Sequence, residues 1–152
     1  MPHESTFNKE LCKKYPFLLP YNALAQQDTF ELVTDKVDQS YKYDFTMLDF
    51  VPDGWSNLFL EMCEELSAAI KGKENEKTFR FEEIKEKWGE LRMYTAGTSE
   101  ETEKIIEEYT IKSRKVCIRC GAAATRISRG WISPYCDDCI GDSVSFPIDS
   151  SV

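Results

Sequence analysis

Cys117, Cys120, Cys136 and Cys139 stand as two C-x2-C pairs with fifteen residues between them. Thiolates are soft metal ligands, and two tight turns can carry two such pairs to the corners of one tetrahedron. That ligand set and spacing belong to a structural zinc site. The two pairs stand at ribbon spacing, and soft thiolates with a tetrahedral preference suit zinc, so zinc is expected rather than iron–sulfur or redox chemistry. Four thiolates also close the coordination sphere and leave no position for a water, so one structural zinc is expected rather than a hydrolytic one. Gly121, directly after the second cysteine, suits a turn that needs positive φ. Metal binding would then be coupled to folding of residues 116–141.

Other chemistry is sparsely provided for. His3 is the sole histidine and sits at the terminus, where it reads as a bystander. No phosphate-cradling glycine loop and no H-E-x-x-H is present, and no histidine is placed to activate a serine or cysteine nucleophile. A zinc deaminase needs a glutamate beside a His or Cys ligand and an open metal position, and the pattern here supplies neither. Glu82, Glu83 and Glu86 are abundant carboxylates rather than a constellation. No catalytic residue is nominated, and a non-enzymatic role is expected.

The elements that must position the cysteines follow from periodicity. Residues 5–15 read as a short helix capped by Ser5 or Thr6, with Phe7, Leu11 and Cys12 on one face, ended by Tyr15-Pro16. Phe17 to Tyr21 reads as an apolar extended segment that packs this helix onto the core. Residues 29–33 and Tyr41-Lys42-Tyr43-Asp44-Phe45 alternate and suit strands around a polar turn at 35–40, the second with a buried or partner-binding aromatic face. Trp55, Leu58, Phe59, Met62, Leu66, Ala69 and Ile70 form one stripe at helical spacing over residues 54–71. Asp53 is the expected N-cap and Gly72 the stop, and Glu61, Glu64 and Glu65 fall on the outer side. Residues 78–94 read as two strands joined near Trp88-Gly89. Thr98 with Glu101 reads as a capping box for a helix over 99–114, with Ile105, Ile106 and Tyr109 inward. That helix runs directly into Cys117, so the ribbon is expected to be rigidly joined to the body. The fold class expected is α+β: a small antiparallel sheet, two main helices and a C-terminal zinc ribbon. The division is an acidic body at 1–115, the ribbon at 116–141 and a tail at 142–152.

Charge is unevenly spread over the 152 residues, whose net charge is −8. Residues 1–111 carry 23 acidic and 13 basic side chains, and residues 112–152 carry 6 basic and 4 acidic. The acidic body disfavours broad contact with phosphate and suits a basic protein surface. Lys112, Arg114, Lys115, Arg119, Arg126 and Arg129 form a basic stretch without an intervening acid. Two readings of it stand open: the cations balance a zinc that carries four thiolates, or they contact nucleic acid with Trp131 and Tyr135 stacking on bases. No apolar run is long enough to span a membrane. The N-terminus has neither a basic n-region nor an apolar h-region, so no signal peptide is expected. Cys12 and Cys63 lie in apolar helical patterns rather than disulfide spacing, which fits a reducing cytoplasm with bound zinc.

Several strings together resemble a group of small zinc-ribbon proteins of bacteriophages and prophage-like regions. They are Asp53-Gly54-Trp55; Ile84-Lys85-Glu86-Lys87-Trp88-Gly89-Glu90-Leu91-Arg92-Met93-Tyr94; Cys117-x2-Cys120-Gly121; and Gly130-Trp131-Ile132-Ser133-Pro134-Tyr135-Cys136. The resemblance runs from Tyr15 to Cys139. Trp88 departs from it by standing where Phe is commoner. Most of that group has no assigned activity, so what it implies is context. Small acidic phage-type proteins often bind and block host machinery, and the zinc-containing anti-CRISPR proteins directed at type II effector nucleases are of this kind. The resemblance implies an inhibitor whose partner is a bacterial protein or ribonucleoprotein. Candidate contacts are Glu61, Glu64 and Glu65 on the body and Arg126 and Arg129 on the ribbon. The alternative function is a zinc-ribbon regulator that binds nucleic acid through residues 112–135.

Overall fold

A computed structural model describes residues 5–19 and 46–148. The strands expected at 29–33 and 41–45, the turn between them and the aromatic face of Tyr41, Tyr43 and Phe45 lie outside the described residues. The architecture is α+β, with small antiparallel sheets, several helices and a C-terminal cluster of four cysteines. Helix α1 spans Ser5–Lys14 and runs into a single 3-10 turn at Pro16–Leu18. An extended segment was expected there. Pro16 instead presets the φ of the turn's first residue, and the amides of Leu18 and Leu19 donate to the carbonyls of Tyr15 and Pro16. The turn buries Phe17, Leu18 and Leu19.

Helix α2, Ser56–Ile70, carries the stripe that the spacing predicts, with Phe59, Met62, Cys63, Leu66, Ala69 and Ile70 buried. Its start corrects the expected cap. Asp53 makes no capping bond. Residues Asp53–Trp55 form a separate 3-10 turn in which the amides of Trp55 and Ser56 donate to Pro52 O and Asp53 O, and the Gly54 amide donates to Ile118 O at 2.9 Å. At the other end Gly72 follows the C-cap Lys71 with φ +73°.

Strands β1 (Arg80–Lys87) and β2 (Glu90–Ala96) pair antiparallel across a two-residue turn, Trp88-Gly89. Both turn residues have positive φ, 56° and 81°, as hairpin turns matched to strand twist require. Glycine takes that conformation freely, whereas a bulky residue held there costs on the order of 1–3 kcal/mol. A bulge between Phe81 and Glu83 explains why Phe81 and Ile84, three apart, both face the core. Phe79 and Phe81 meet Phe17 with ring centroids 5.5 and 5.9 Å apart, and Phe59 stands 5.2 Å from Phe81. This aromatic cluster joins α1, α2 and the hairpin in one core.

Helix α3, Glu100–Ser113, packs on α2 and β2. Its capping box is Ser99 with Thr102, one residue later than the expected Thr98 with Glu101. Thr102 is fully buried, and a buried hydroxyl must be satisfied. Thr102 Oγ1 accepts from the Ser99 amide at 2.8 Å and donates to Ser99 O at 3.0 Å, whereas Thr98 is exposed. The ribbon follows: β3 (Arg126–Ser128), β4 (Pro134–Tyr135), the short helix α4 (Asp137–Ile140) and β5 (Ser145–Pro147). Its sheet has the order β4-β3-β5, so residues 145–147 of the expected tail form a third strand. Among the described residues no helix is long and apolar enough to cross a membrane.

Candidate metal centre

The first knuckle leaves α3 through Val116, which bridges to Ala123. Cys117 N donates to Ala122 O at 2.8 Å and Gly121 N to Cys117 O at 3.0 Å, with Gly121 at φ +85°. Only a residue without a Cβ closes this turn freely. The second knuckle is the start of α4, where the amides of Cys139 and Ile140 donate to Cys136 O. The two turns bring the Sγ atoms of Cys117, Cys120, Cys136 and Cys139 within 4.8 Å of one another. Cys120 Sγ and Cys136 Sγ lie 3.6 Å apart. Thiolates around one zinc at the usual Zn–S length would stand roughly 3.8 Å apart. The spacing therefore fits four ligands to a single ion, and the four cysteines can bind one metal ion.

The electrostatics favour a shared charge. Burial alone would raise the Cys117 thiol, but backbone N–H groups at Cys120, Cys136 and Arg119 outweigh it and bring the thiol down to about 6. Cys139 moves the other way, to about 12, chiefly because it shares a hydrogen bond with Cys136 and is desolvated. Protons held unequally by crowded thiols are what a divalent ion displaces on binding. Cys117 is fully buried, Cys120 is exposed and Cys139 is half-buried.

The centre is built into the body. A Cβ at Gly54 would lie 2.1 Å from Cys117 O and 2.5 Å from Ile118 C, so this approach of two backbones needs glycine. Trp55, fully buried, donates its indole N–H to Val116 O at 2.9 Å. Asp53-Gly54-Trp55 is thus the seat of the first knuckle. The long string at 84–94 is the seat of α3 and of the Gly130–Ser133 loop. Buried Glu90 pairs with Arg92 and Arg114, Leu91 N donates to Ser113 Oγ at 2.9 Å, and Lys85 lies over the Tyr94 ring. Glu86 accepts from Gly89 N at 3.0 Å and from Ser133 Oγ at 3.3 Å.

The remaining candidate residues are placed apart from the cysteines. Glu61, Glu64 and Glu65 are exposed along α2, and Glu65 accepts from the Tyr109 hydroxyl. Burial, that hydrogen bond and the charges of Glu65, Glu61 and Glu108 push the Tyr109 phenol well up. Arg126 is half-buried and bonds Ser145 through Nε at 2.6 Å and Nη2 at 3.0 Å. Arg129 is exposed over the Phe146 ring, and Arg119 lies over Tyr135. Lys112 covers Tyr109 and pairs with Glu108. Sequence reasoning did not single out Gly54 as a contact, nor Trp88, Ile111 and Ile132 as surface. The one signal for Trp88 was its place before glycine between two alternating segments. Comparison with protein-family models, curated proteins and solved structures finds no match.

Proposed function

We propose that this chain is a zinc-clamped binding protein of the phage-inhibitor type. It blocks a bacterial nucleic-acid-handling defence complex, foremost as an anti-CRISPR against a type II CRISPR effector nuclease. The observation that carries the binding role is the closed set of four cysteines seated on Gly54 and Trp55. Such a centre holds a surface in shape and offers no open ligand position for chemistry. Zinc is the ion that this donor set fits best. The acidic face at Glu61, Glu64 and Glu65 supports a basic partner, because charge complementarity raises the association rate and excludes wrong partners. The test is target-DNA cleavage by a guide-loaded type II effector with the purified chain in molar excess. Loss of cleavage and co-elution on a sizing column are expected. Unchanged cleavage without co-elution rejects the anti-CRISPR reading.

A nucleic-acid-binding regulator is the second reading, favoured by the exposed guanidinium groups of Arg119 and Arg129 beside Tyr135 and Phe146. It requires binding that weakens steeply with salt and with Arg119→Ala and Arg129→Ala. Arg126 is the poorer probe, because its bonds to Ser145 hold β5.

A further inference from the structure

Most side chains of the 84–94 string have a structural task. Trp88 has none that the described residues show: it is 69% exposed and stands at positive φ in a hairpin turn. Asparagine, aspartate or glycine would occupy that position without strain. A large aromatic group kept in a disfavoured conformation and outside the core points to a task at the surface.

Trp88 and Ile132 together line two clefts, of about 290 and 410 Å³. Trp131, 78% exposed, also lines the smaller one. Ile111, Ile127, Pro134 and Pro147 line the larger. The walls are held in place before any partner arrives. Glu86 ties the hairpin turn to Ser133, and a Cβ on Gly89 would already touch Ile132 Cγ2 at 3.2 Å. Ser133 N is held by Ser128 Oγ at 3.0 Å. Preformed walls of this kind spare the cost of ordering them on binding.

The charges around the clefts are Lys87 and Lys115, with Arg114 already paired with Glu90, against one lining carboxylate, Glu86, whose Oε1 is engaged. A basic rim on a chain of net charge −8 selects an acidic occupant. Nucleic acid is also acidic, but platforms for single strands are rows of aromatic faces along a cationic track. Here the larger cleft is walled by isoleucine and proline, which match aliphatic and aromatic side chains. We infer that the two clefts beside Trp88 form a docking groove for a partner-protein segment that carries bulky apolar side chains flanked by carboxylates. The inference rests on the reading of the chain as a binding protein and does not depend on which machinery is bound.

The test pans a displayed library of random 12-residue peptides against the full metal-loaded chain. Binders enriched in Leu, Phe or Trp beside Asp or Glu are expected. Trp88→Asn should weaken them at least tenfold while raising Tm, because Asn-Gly suits this turn. Lys115→Glu should weaken them several-fold. The inference is overturned if no binder is enriched, if binders are basic, or if Trp88→Asn leaves affinity unchanged. A lower Tm for Trp88→Asn overturns it too, since Trp88 would then be a packing residue. Tighter binding of a 12-nucleotide oligo-dT probe overturns it in favour of nucleic acid, and a wild-type dimer that Trp88→Asn dissociates overturns it in favour of a second copy. Effector cleavage is measured separately: unchanged cleavage with enriched acidic binders rejects the anti-CRISPR reading alone, and lost cleavage without binders rejects the groove alone.

Discussion

Single residues here carry unusually definite expectations. Gly54 has backbone against it where a side chain would go, and backbone cannot step aside as a flexible side chain can. Gly54→Ala should destabilise the chain by about 3 kcal/mol, the upper part of the range for overpacking, as read from the urea midpoint. An unchanged midpoint would show that the knuckle does not pack on Asp53–Trp55. The buried thiols give a pH expectation. Burial, and secondarily Asp49, raises Cys12 from 9.0 to about 12, and burial raises Cys63 in the same direction. Below pH 9 both thiols are protonated in the folded and unfolded chains, and their contribution is fully present. As pH rises from 9 towards 12 the unfolded thiols ionise first, so stability falls. Urea titrations from pH 8 to 10.5 should show that fall, and a Cys12→Ala/Cys63→Ala variant should show less of it. An equal slope in both proteins would contradict the assignment. The cysteine spacing was legible from sequence because metal ligation demands residue type and distance together. Gly54 was not, because a close approach between residues more than sixty apart leaves no local pattern.

At the level of elements, strong periodicity was legible and exact ends were not. The α2 stripe and the hairpin about Trp88-Gly89 follow from side-chain alternation and spacing. The cap of α3 slipped by one residue because Thr98/Glu101 and Ser99/Thr102 both satisfy local capping chemistry, and burial of Thr102 decides between them. Asp53 failed as a cap because the amides a capping carboxylate would reach, those of Trp55 and Ser56, donate to Pro52 O and Asp53 O within the 3-10 turn. Ser99→Ala should therefore cost about 1 kcal/mol of stability, while Thr98→Ala should leave it unchanged within about 0.5 kcal/mol. Thermal or urea unfolding of the two variants checks this, and the reverse order would restore Thr98 as the cap.

For the whole molecule, the hairpin, α3 and the ribbon meet around a few polar contacts: Glu90 with two arginines, Ser113 with Leu91, and Glu86 with Ser133. The cysteine knuckles belong to that assembly and are seated on the turn before α2 through Gly54 and Trp55. Chelation should thus loosen more than the cysteine loops. Amide hydrogen exchange at Cys117, Ile118 and Gly54 should speed up after treatment with a zinc chelator, whereas the α2 amides around Met62 to Leu66 should stay protected. Uniform loss of protection would mean that the metal holds the entire fold. The most direct test of the account is elemental analysis of the purified chain beside a Cys117→Ser/Cys136→Ser variant. About one zinc per wild-type chain and none in the variant is the expected result for one four-thiolate site. Zinc retained by the variant, or a wild-type chain that takes up none under reducing, zinc-replete conditions, would contradict it.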